Sequence, residues 1–330
     1  MKAQYESPVL AADIGGSKIL TAIFSGNGEI QSRNTTQTIA GEGVAAVVER
    51  LCQGIDQHLD ENNLEPSKLN GIGIACAGGV DPDRGVVVTP SPNLPGWHDV
   101  PLGEIIEKRF GVSTCILNDA SAAALGEQRY GVGIGTDNLV LVALGTGIGG
   151  GIIIDGKLYQ GAAGGAGEIG HMTVDENGPS CECGNTGCLE MFASGKAIAR
   201  EAIRHISDGE KSSLVEMADG QIENITAENV VAAARDGDSL ANEVLSRSSH
   251  YLGVGMVNIV NIFNPEMIII GGGLAEIGEL LLEPAKEIVK KRAFGISAQS
   301  VKIVTTGLGN EAGVYGAAVY ANEHKVRRTA

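Results

Sequence analysis

Residues 161–190 read GAAGGAGEIGHMTVDENGPSCECGNTGCLE and contain three of the six cysteines of the chain. Cys181, Cys183 and Cys188 follow the spacing C-x-C-x4-C, and His171 lies ten positions before the first of them. Three thiolates and one imidazole form a complete tetrahedral ligand set for Zn²⁺. Because four protein ligands leave no position for a reactive water, the sequence predicts a structural zinc loop. The alternative is three unrelated thiols.

Polar residues stand just before and just after this loop. Glu168 precedes it, His171 lies inside it and Glu190 follows it. We expect zinc to fold the loop so that these three side chains converge on a polyhydroxylated ligand, with His171 using one ring nitrogen for the metal and the other for a ligand hydroxyl. The alternative is a metal knuckle with solvated carboxylates, since glutamate is mostly exposed in proteins.

Composition restricts the class of protein. The chain has 330 residues, of which 43% are hydrophobic, and a formal net charge of −16. This length suits two domains. An acidic surface repels a phosphate backbone, so we expect no nucleic acid partner, and no apolar run is long enough to predict a membrane partner. The N-terminus lacks the apolar core of a signal peptide, and Cys52, Cys76 and Cys115 are typical of buried thiols in a reducing compartment, so we expect a cytoplasmic protein.

Two apolar runs, Val9–Ala12 and Leu139–Leu144, each enter a glycine turn and return as a second apolar run. The backbone amides of such turns can surround a phosphate, and Asp13 would orient Mg²⁺ through water. The candidate phosphate contacts are Gly15, Gly16, Ser17 and Lys18 in the first turn and Gly145, Thr146 and Gly147 in the second. A plain hairpin would explain the first turn equally well, but the pair predicts a duplicated fold.

Three further stretches contain candidate site residues. The strand-like run Val112–Leu117 ends at Asn118-Asp119, and a carboxylate between a strand end and a helix start is well placed in a ligand crevice. Asp119 is therefore a candidate general base, with a helix N-cap as the equal alternative. Asn93, in a rigid loop, is a candidate hydrogen-bonding residue. The strand that begins at Met267 ends in Gly271, Gly272 and Gly273, where a bare backbone could accept a nucleobase and ribose, or simply turn the chain.

The motifs ADIGGSKI, PNLPGW, LNDASAAALGE, LGTGIGGGIIIDGKL, AGEIGH, CECGNTGCLE, IIIGGGL and GNEAGVYGAA occur in this order along nearly the whole chain. In this the sequence closely resembles the ROK sugar kinases, and within them the bacterial ATP-dependent glucokinases. The resemblance implies an α/β, actin-like (ribonuclease H-like) ATPase fold with two domains flanking a cleft and a structural zinc loop. We expect a smaller domain of residues 1–117 plus 314–330 and a larger one of residues 118–313. The family also suggests a homo-oligomer, either a dimer or a tetramer.

The resemblance further implies transfer of a phosphoryl group from ATP, with Mg²⁺, to the 6-hydroxyl of glucose, giving glucose 6-phosphate. Asp119 would take the proton of that hydroxyl. The positions that match sugar contacts are Asn93, Asn118, Asp119, Glu168, His171 and Glu190. The Asp13 and Gly145 hairpins match the phosphate loops, Gly271, Gly272 and Gly273 match the adenosine side, and His171, Cys181, Cys183 and Cys188 match the zinc motif. Two positions depart from the family pattern, since Ser17 replaces the usual threonine and Ala77 a common proline.

Three alternatives remain open at this point. The first is a kinase for another hexose, such as N-acetylmannosamine, N-acetylglucosamine, mannose or fructose. The second is a sugar-sensing transcriptional repressor of the same family, although a first hairpin that begins at residue 9 leaves no room for a preceding helix-turn-helix. The third is a zinc-stabilised sugar-binding module without turnover.

Overall fold

The computed structural model describes residues 7–274 and 278–324, and these contain twelve β-strands and eleven α-helices. The α/β class predicted from the sequence is therefore confirmed. The strands are β1 Val9–Ile14, β2 Lys18–Phe24, β3 Ile30–Gln37, β4 Gly71–Cys76, β5 Gly79–Asp81, β6 Val86–Thr89, β7 Thr114–Asn118, β8 Leu139–Leu144, β9 Ile148–Ile154, β10 Lys157–Leu158, β11 Met267–Gly271 and β12 Lys302–Thr305. The helices are α1 Val44–Glu61, α2 Leu102–Phe110, α3 Asp119–Tyr130, α4 Glu190–Ala193, α5 Gly195–Ser207, α6 Leu214–Met217, α7 Ala227–Arg235, α8 Ser239–Phe263, α9 Glu279–Arg292, α10 Gly295–Ser300 and α11 Ala312–Glu323.

The two glycine-turn hairpins open two sheets with the same strand order. The first sheet runs β3-β2-β1-β4-β7 and the second β10-β9-β8-β11-β12. In the first, β1 pairs antiparallel with β2 and parallel with β4, and in the second β11 pairs parallel with β12. In both sheets the two hairpin strands take the same places in the strand order, and two later strands of the chain follow them. This equivalence confirms the predicted duplication.

The chain divides into two compact units. The first contains the described residues up to Leu141, Gly151–Gly167 and the described residues from Gly307 onward, and the second contains Val142–Gly150 and Glu168–Thr306. The boundaries predicted from the sequence, residues 1–117 plus 314–330 against 118–313, stay a prediction. Residues 325–330 of that prediction, and residues 1–6 of the segment judged to lack a signal peptide, lie outside the described residues.

Both faces of the first sheet are covered by helices. Successive side chains of a strand point to opposite faces, and nearly every residue of β1 and β4 is buried. Leu10 and Ile72 point into a core that also holds Val47 and Leu51 of the amphipathic helix α1. The opposite face packs against α11, which also lies along α3. A Cβ at Gly316 of α11 would overlap the backbone of Ala122 in α3, so glycine at this position lets the two helix backbones approach closely.

The second unit is mainly helical after residue 189. Its longest helix, α8, begins at the N-cap Asp238, whose side chain accepts a hydrogen bond from the Ala241 amide. Leu252 and Met256 of α8 are buried, and α8 packs along α9. Across the described residues, we find no helix whose length and apolar content would let it cross a bilayer.

A histidine of α1 is buried between this helix and strands β2 and β3. The side chain of His58 is 1% exposed, its Nδ1 lies 2.8 Å from Thr21 Oγ1 on β2, and its Nε2 lies 2.9 Å from Ser32 Oγ on β3. Burial lowers the pKa of His58 below 6.5. The neutral ring therefore joins the helix to two strands, and protonating it would place a charge in an enclosed site.

We expect stability to depend on pH through His58. The unfolded histidine binds a proton as pH falls through about 6.5, whereas the folded one does so only at lower pH, so the stabilisation by neutral His58 is present above pH 6.5 and is lost as pH falls below it. The thermal midpoint of the wild type should therefore fall more steeply between pH 7 and 5 than that of His58→Gln. His98→Gln, which alters an exposed histidine, is the control and should keep the wild-type slope. Equal slopes in all three proteins would contradict the role of His58.

Candidate active site

Parallel pairing brings two predicted site residues, Asp13 and Asn118, to the same end of the first sheet. Asp13 of β1 is in register with Ala75 of β4, and Cys76 of β4 with Asn118 of β7. Because all three strands run in the same direction, their carboxyl ends lie together, which is where α/β sheets place ligands.

The junction of β7 and α3 shows which residue caps the helix. Asn118 is the N-cap of α3, and its Oδ1 accepts hydrogen bonds from the Ala120 and Ser121 amides at 3.0 and 3.1 Å. Its Nδ2 donates to the Gly78 carbonyl at 3.1 Å. Asp119 is the first residue of the helix, and its Oδ1 accepts from the Ala120 amide at 2.8 Å. The N-cap interpretation of Asp119 is therefore wrong, since the neighbouring asparagine has that role.

The carboxyl groups of Asp13 and Asp119 are electrostatically coupled in this enclosed corner. Burial, and after it the negative charge of Asp119, raise the pKa of Asp13 to about 7, against a smaller lowering effect of the Lys18 charge. Burial also raises the pKa of Asp119, against the lowering effect of hydrogen bonds from Ala120 and Asn118. A carboxylate with a raised pKa is a stronger base, which suits proton abstraction from a hydroxyl.

The first glycine turn is held by a residue that the sequence analysis did not identify. Thr38, which is fully buried, donates from Oγ1 to the Gly15 carbonyl at 2.6 Å, and its amide donates to the Ser17 carbonyl at 3.0 Å. Asn93 lies against the turn, because a Cβ built on Gly16 would be 3.0 Å from the Asn93 Cβ. The structure therefore brings Asn93 to the first turn, within the first unit.

The carboxylate of Asp13 lies against the start of α11. A Cβ at Gly313 would overlap Asp13 Oδ2, so only glycine leaves this carboxylate in place. Carboxylate oxygens are the ligands that Mg²⁺ prefers, usually with several waters retained. Asp13 therefore has the chemistry required of a residue that holds Mg²⁺ through water.

In the second unit the four predicted zinc ligands lie together. The ligand atoms of His171, Cys181, Cys183 and Cys188 all lie within 4.8 Å of one another. His171 Nδ1 is 3.7 Å from Cys181 Sγ, and Cys183 Sγ is 3.7 Å from Cys188 Sγ. Two sulfurs bound to a tetrahedral zinc at about 2.3 Å would be about 3.8 Å apart, so the cluster fits a closed Zn²⁺ site.

Side chains around the cluster support its shape, and the sequence analysis did not identify them. Asn185 donates to Thr173 Oγ1 at 2.9 Å and to Cys188 Sγ at 3.5 Å. Tyr251 of α8 donates to Asp175 at 2.9 Å, and its ring stacks on Phe192 with centroids 3.8 Å apart. The loop is therefore fastened to α8 by contacts that involve no metal ligand.

The predicted polar residues lie within or beside the metal loop, by which we mean residues 171–188. His171 directs Nδ1 to the thiols, and its Nε2 is 3.9 Å from Glu168 Oε2. Glu190 opens α4, and its Oε2 accepts from the Ile148 amide at 2.7 Å, directly after the second glycine turn. Gly272 packs against the Leu144 carbonyl, which places the third glycine run beside the second turn. The second unit thus brings together Glu168, His171, Glu190, Gly145–Gly147 and Gly271–Gly273.

Comparisons with known proteins agree on one family. The model of the ROK family matches residues 9–324. A curated glucokinase of Halalkalibacterium halodurans is 37% identical over 93% of this chain and 92% of its own length. A xylose repressor of Caldicellulosiruptor bescii is 33% identical over 93% of this chain and 76% of its own length.

A solved structure gives the same result. The ROK family glucokinase from Streptomyces griseus, crystallised with glucose and AMPPNP, has a TM-score of 0.81 to this chain. It is 33% identical, and the match covers 96% of this chain and 100% of that one.

We expect the wild type to carry one Zn²⁺ per chain and Cys183→Ser to carry little or none, because three ligands no longer close the site. Cys183 is exposed, so the exchange of sulfur for oxygen alters little packing. The measurement is zinc per chain by atomic emission, with the thermal midpoint before and after chelation. A chelator should lower the midpoint of the wild type and leave that of Cys183→Ser unchanged.

The control is Cys52→Ala, which removes a buried thiol outside the cluster and should keep its zinc. Zinc at wild-type stoichiometry in Cys183→Ser, or its absence from the wild type, would contradict the assignment.

Proposed function

Because the chain belongs to the ROK family, we propose that it transfers the γ-phosphoryl group of ATP to the 6-hydroxyl of glucose, with Asp119 as the general base. The observation that carries this proposal is the corner at the end of β7. There a carboxylate with a raised pKa lies at the start of α3, in the same unit as the glycine turn that follows Asp13. The Streptomyces griseus relative, solved with both kinds of ligand, supports the choice of substrates.

Phosphoryl transfer depends chiefly on positioning and charge stabilisation. Asp119 would accept the proton of the 6-hydroxyl while that oxygen attacks the γ-phosphorus, and the bond to the ADP oxygen would break. The amides of the turns Gly15–Lys18 and Gly145–Gly147 would hold phosphate oxygens. Gly271, Gly272 and Gly273 would face the adenosine.

Two metals belong to the proposal. Mg²⁺, when bound, supplies positive charge to the phosphate oxygens, and Asp13 is the residue that would hold it through water. Zn²⁺ is structural, and it would be held by His171 and the three cysteines. Asp119, and neither ion, would take the proton of the substrate hydroxyl.

Six residues are proposed as sugar contacts: Asn93, Asn118 and Asp119 in the first unit, and Glu168, His171 and Glu190 in the second. All offer the polar atoms that hydroxyl groups need. Asn118 would use the second hydrogen of Nδ2, since its Oδ1 caps α3. A homo-oligomeric state, dimer or tetramer, is also part of the proposal and can be measured by light scattering.

The repressor relative suggests an alternative function. A xylose repressor is 33% identical to this chain, so a sugar-sensing regulator without turnover is the alternative from another class. The net charge of −16 disfavours contact with a phosphate backbone. A kinase acting on N-acetylmannosamine, N-acetylglucosamine, mannose or fructose is the alternative from the same class.

Asp119→Asn should lower kcat for glucose phosphorylation about 10²–10⁴-fold, the usual effect of losing a general base. The amide keeps the size of the carboxylate and can still accept from Ala120, so the Kd for glucose should change much less. Steady-state kinetics and calorimetry provide the two numbers. Asp99→Asn, in an exposed loop, is the control and should behave as the wild type. A near-wild-type kcat in Asp119→Asn would refute the proposed base.

A panel of sugars and donors separates the alternatives. Glucose with ATP and Mg²⁺ should give the highest kcat/KM in an assay that couples ADP release to a colour change. A higher value with another hexose would reassign the substrate. Sugar binding without phosphorylation, with any of ATP, ADP or polyphosphate as donor, would favour the regulator.

A further inference from the structure

Ile148 is the first residue after the second glycine turn, and residues that flank both ends of the metal loop contact it. Its amide donates to Glu190 Oε2 at 2.7 Å. The carboxylate also lies over the turn itself, because a Cβ at Gly147 would overlap Glu190 Oε2. The carboxylate therefore holds the end of the turn through a charge-assisted hydrogen bond, which is stronger than a neutral one.

The other end of the metal loop contacts the carbonyl of the same residue. Gly170, next to the ligand His171, packs so closely on Ile148 that a Cβ there would overlap the Ile148 carbonyl oxygen. The start of the turn is held as well, since the Gly195 amide donates to the Gly145 carbonyl at 2.8 Å. The turn is thus contacted by Gly170 before the metal loop and by Glu190 and Gly195 after it.

The position of Glu190 is fixed by backbone hydrogen bonds between its neighbours and the metal loop. Two backbone bonds fix the residues around it, from the Leu189 amide to the Met172 carbonyl and from the Met191 amide to the Cys188 carbonyl, both 2.9 Å long. Met172 and Cys188 lie next to or within the ligand set. A change in the metal loop would therefore move the backbone of Glu190 and with it the side chain that contacts Ile148.

We propose that Glu190 is a positioning residue for the glycine turn 145–147, so that the metal loop sets the conformation of a phosphate-binding turn as well as that of the sugar contacts. The identities of the two ligands rest on the proposed function, whereas the contact itself does not. One carboxylate oxygen holds Ile148 and the other is left to a sugar hydroxyl. Because a bound sugar would fix the rotamer of Glu190, sugar and nucleotide should strengthen each other's binding by the same factor.

Hydrogen exchange of the ligand-free protein tests the contact directly. The Ile148 amide should exchange about tenfold to hundredfold faster in Glu190→Ala and Glu190→Asp than in the wild type, the range for losing a bond to a charged acceptor. Glu190→Asp withdraws the carboxylate by one methylene and serves if the alanine variant does not fold. Glu190→Gln retains an acceptor at the same place but loses its charge, so its Ile148 amide should exchange only a few-fold faster than in the wild type, well short of Glu190→Asp. Glu182→Ala, an exposed glutamate of the same loop, is the matched control and should not change.

Metal removal is the second arm. Chelation of the wild type should accelerate exchange at Ile148, and it should add little in Glu190→Asp, where the bond is already lost. Unchanged exchange at Ile148 in Glu190→Asp, or in the chelated wild type, would overturn the proposal.

Ligand binding separates positioning from simple sugar contact. The Kd for a non-hydrolysable ATP analogue, measured without sugar, should rise about tenfold in Glu190→Asp and stay within about threefold in Glu190→Gln and Glu182→Ala, whereas both Glu190 variants should bind glucose more weakly. Loss of glucose affinity with an unchanged nucleotide Kd in Glu190→Asp would make Glu190 a sugar contact alone. If the wild type binds neither ligand, the proposed function fails, and the exchange results still decide the contact.

Discussion

Parallel pairing of β1, β4 and β7 is the constraint on which the chemistry of the first unit depends. Even-numbered residues of β1, such as Leu10 and Ile14, enter the core shared with α1, and Asp13 takes the opposite face beside α11. A shift of one residue would turn Asp13 into that apolar core. The same register places Asn118 and Asp119 at the neighbouring strand end, where enclosure raises the pKa of both aspartates.

Much of the fold could be predicted because its signals are local. Apolar runs that stop at glycine turns predicted both hairpins, and the repetition of this pattern predicted a duplication, which the two equal strand orders show. The α/β, two-unit, actin-like ATPase class implied by the resemblance is confirmed by the family match and by the solved relative. The cluster of His171 and three cysteines could be predicted because these residue types at this spacing are typical of metal binding.

The parts that could not be predicted depend on tertiary position. Asn118 and Asp119 are equally good caps, and only the end of β7 decides between them. Thr38 and Asn185 belong to no motif, and they act because folding brings them to the first turn and to the thiols. The meeting of Glu190 with Ile148 spans more than forty residues of chain and has no sequence pattern.

The metal loop has few apolar residues of its own to bury. The segment between His171 and Cys188 is largely exposed, so it has little apolar surface with which to fold by itself. Ligation of Zn²⁺ by the four clustered side chains would replace that missing core. Kinase and repressor relatives match almost the same stretch of this chain, and function must therefore be decided by individual site residues rather than by the fold.

The position of α11 affects the order in which the protein can be made. This helix covers one face of the first sheet, packing on β1 and β4, although the chain reaches it only at Ala312. While the ribosome is still translating the second unit, that face of the nascent sheet lacks its cover. Contacts of such large sequence separation form slowly, so the first part of the chain to be synthesised is among the last to complete its packing.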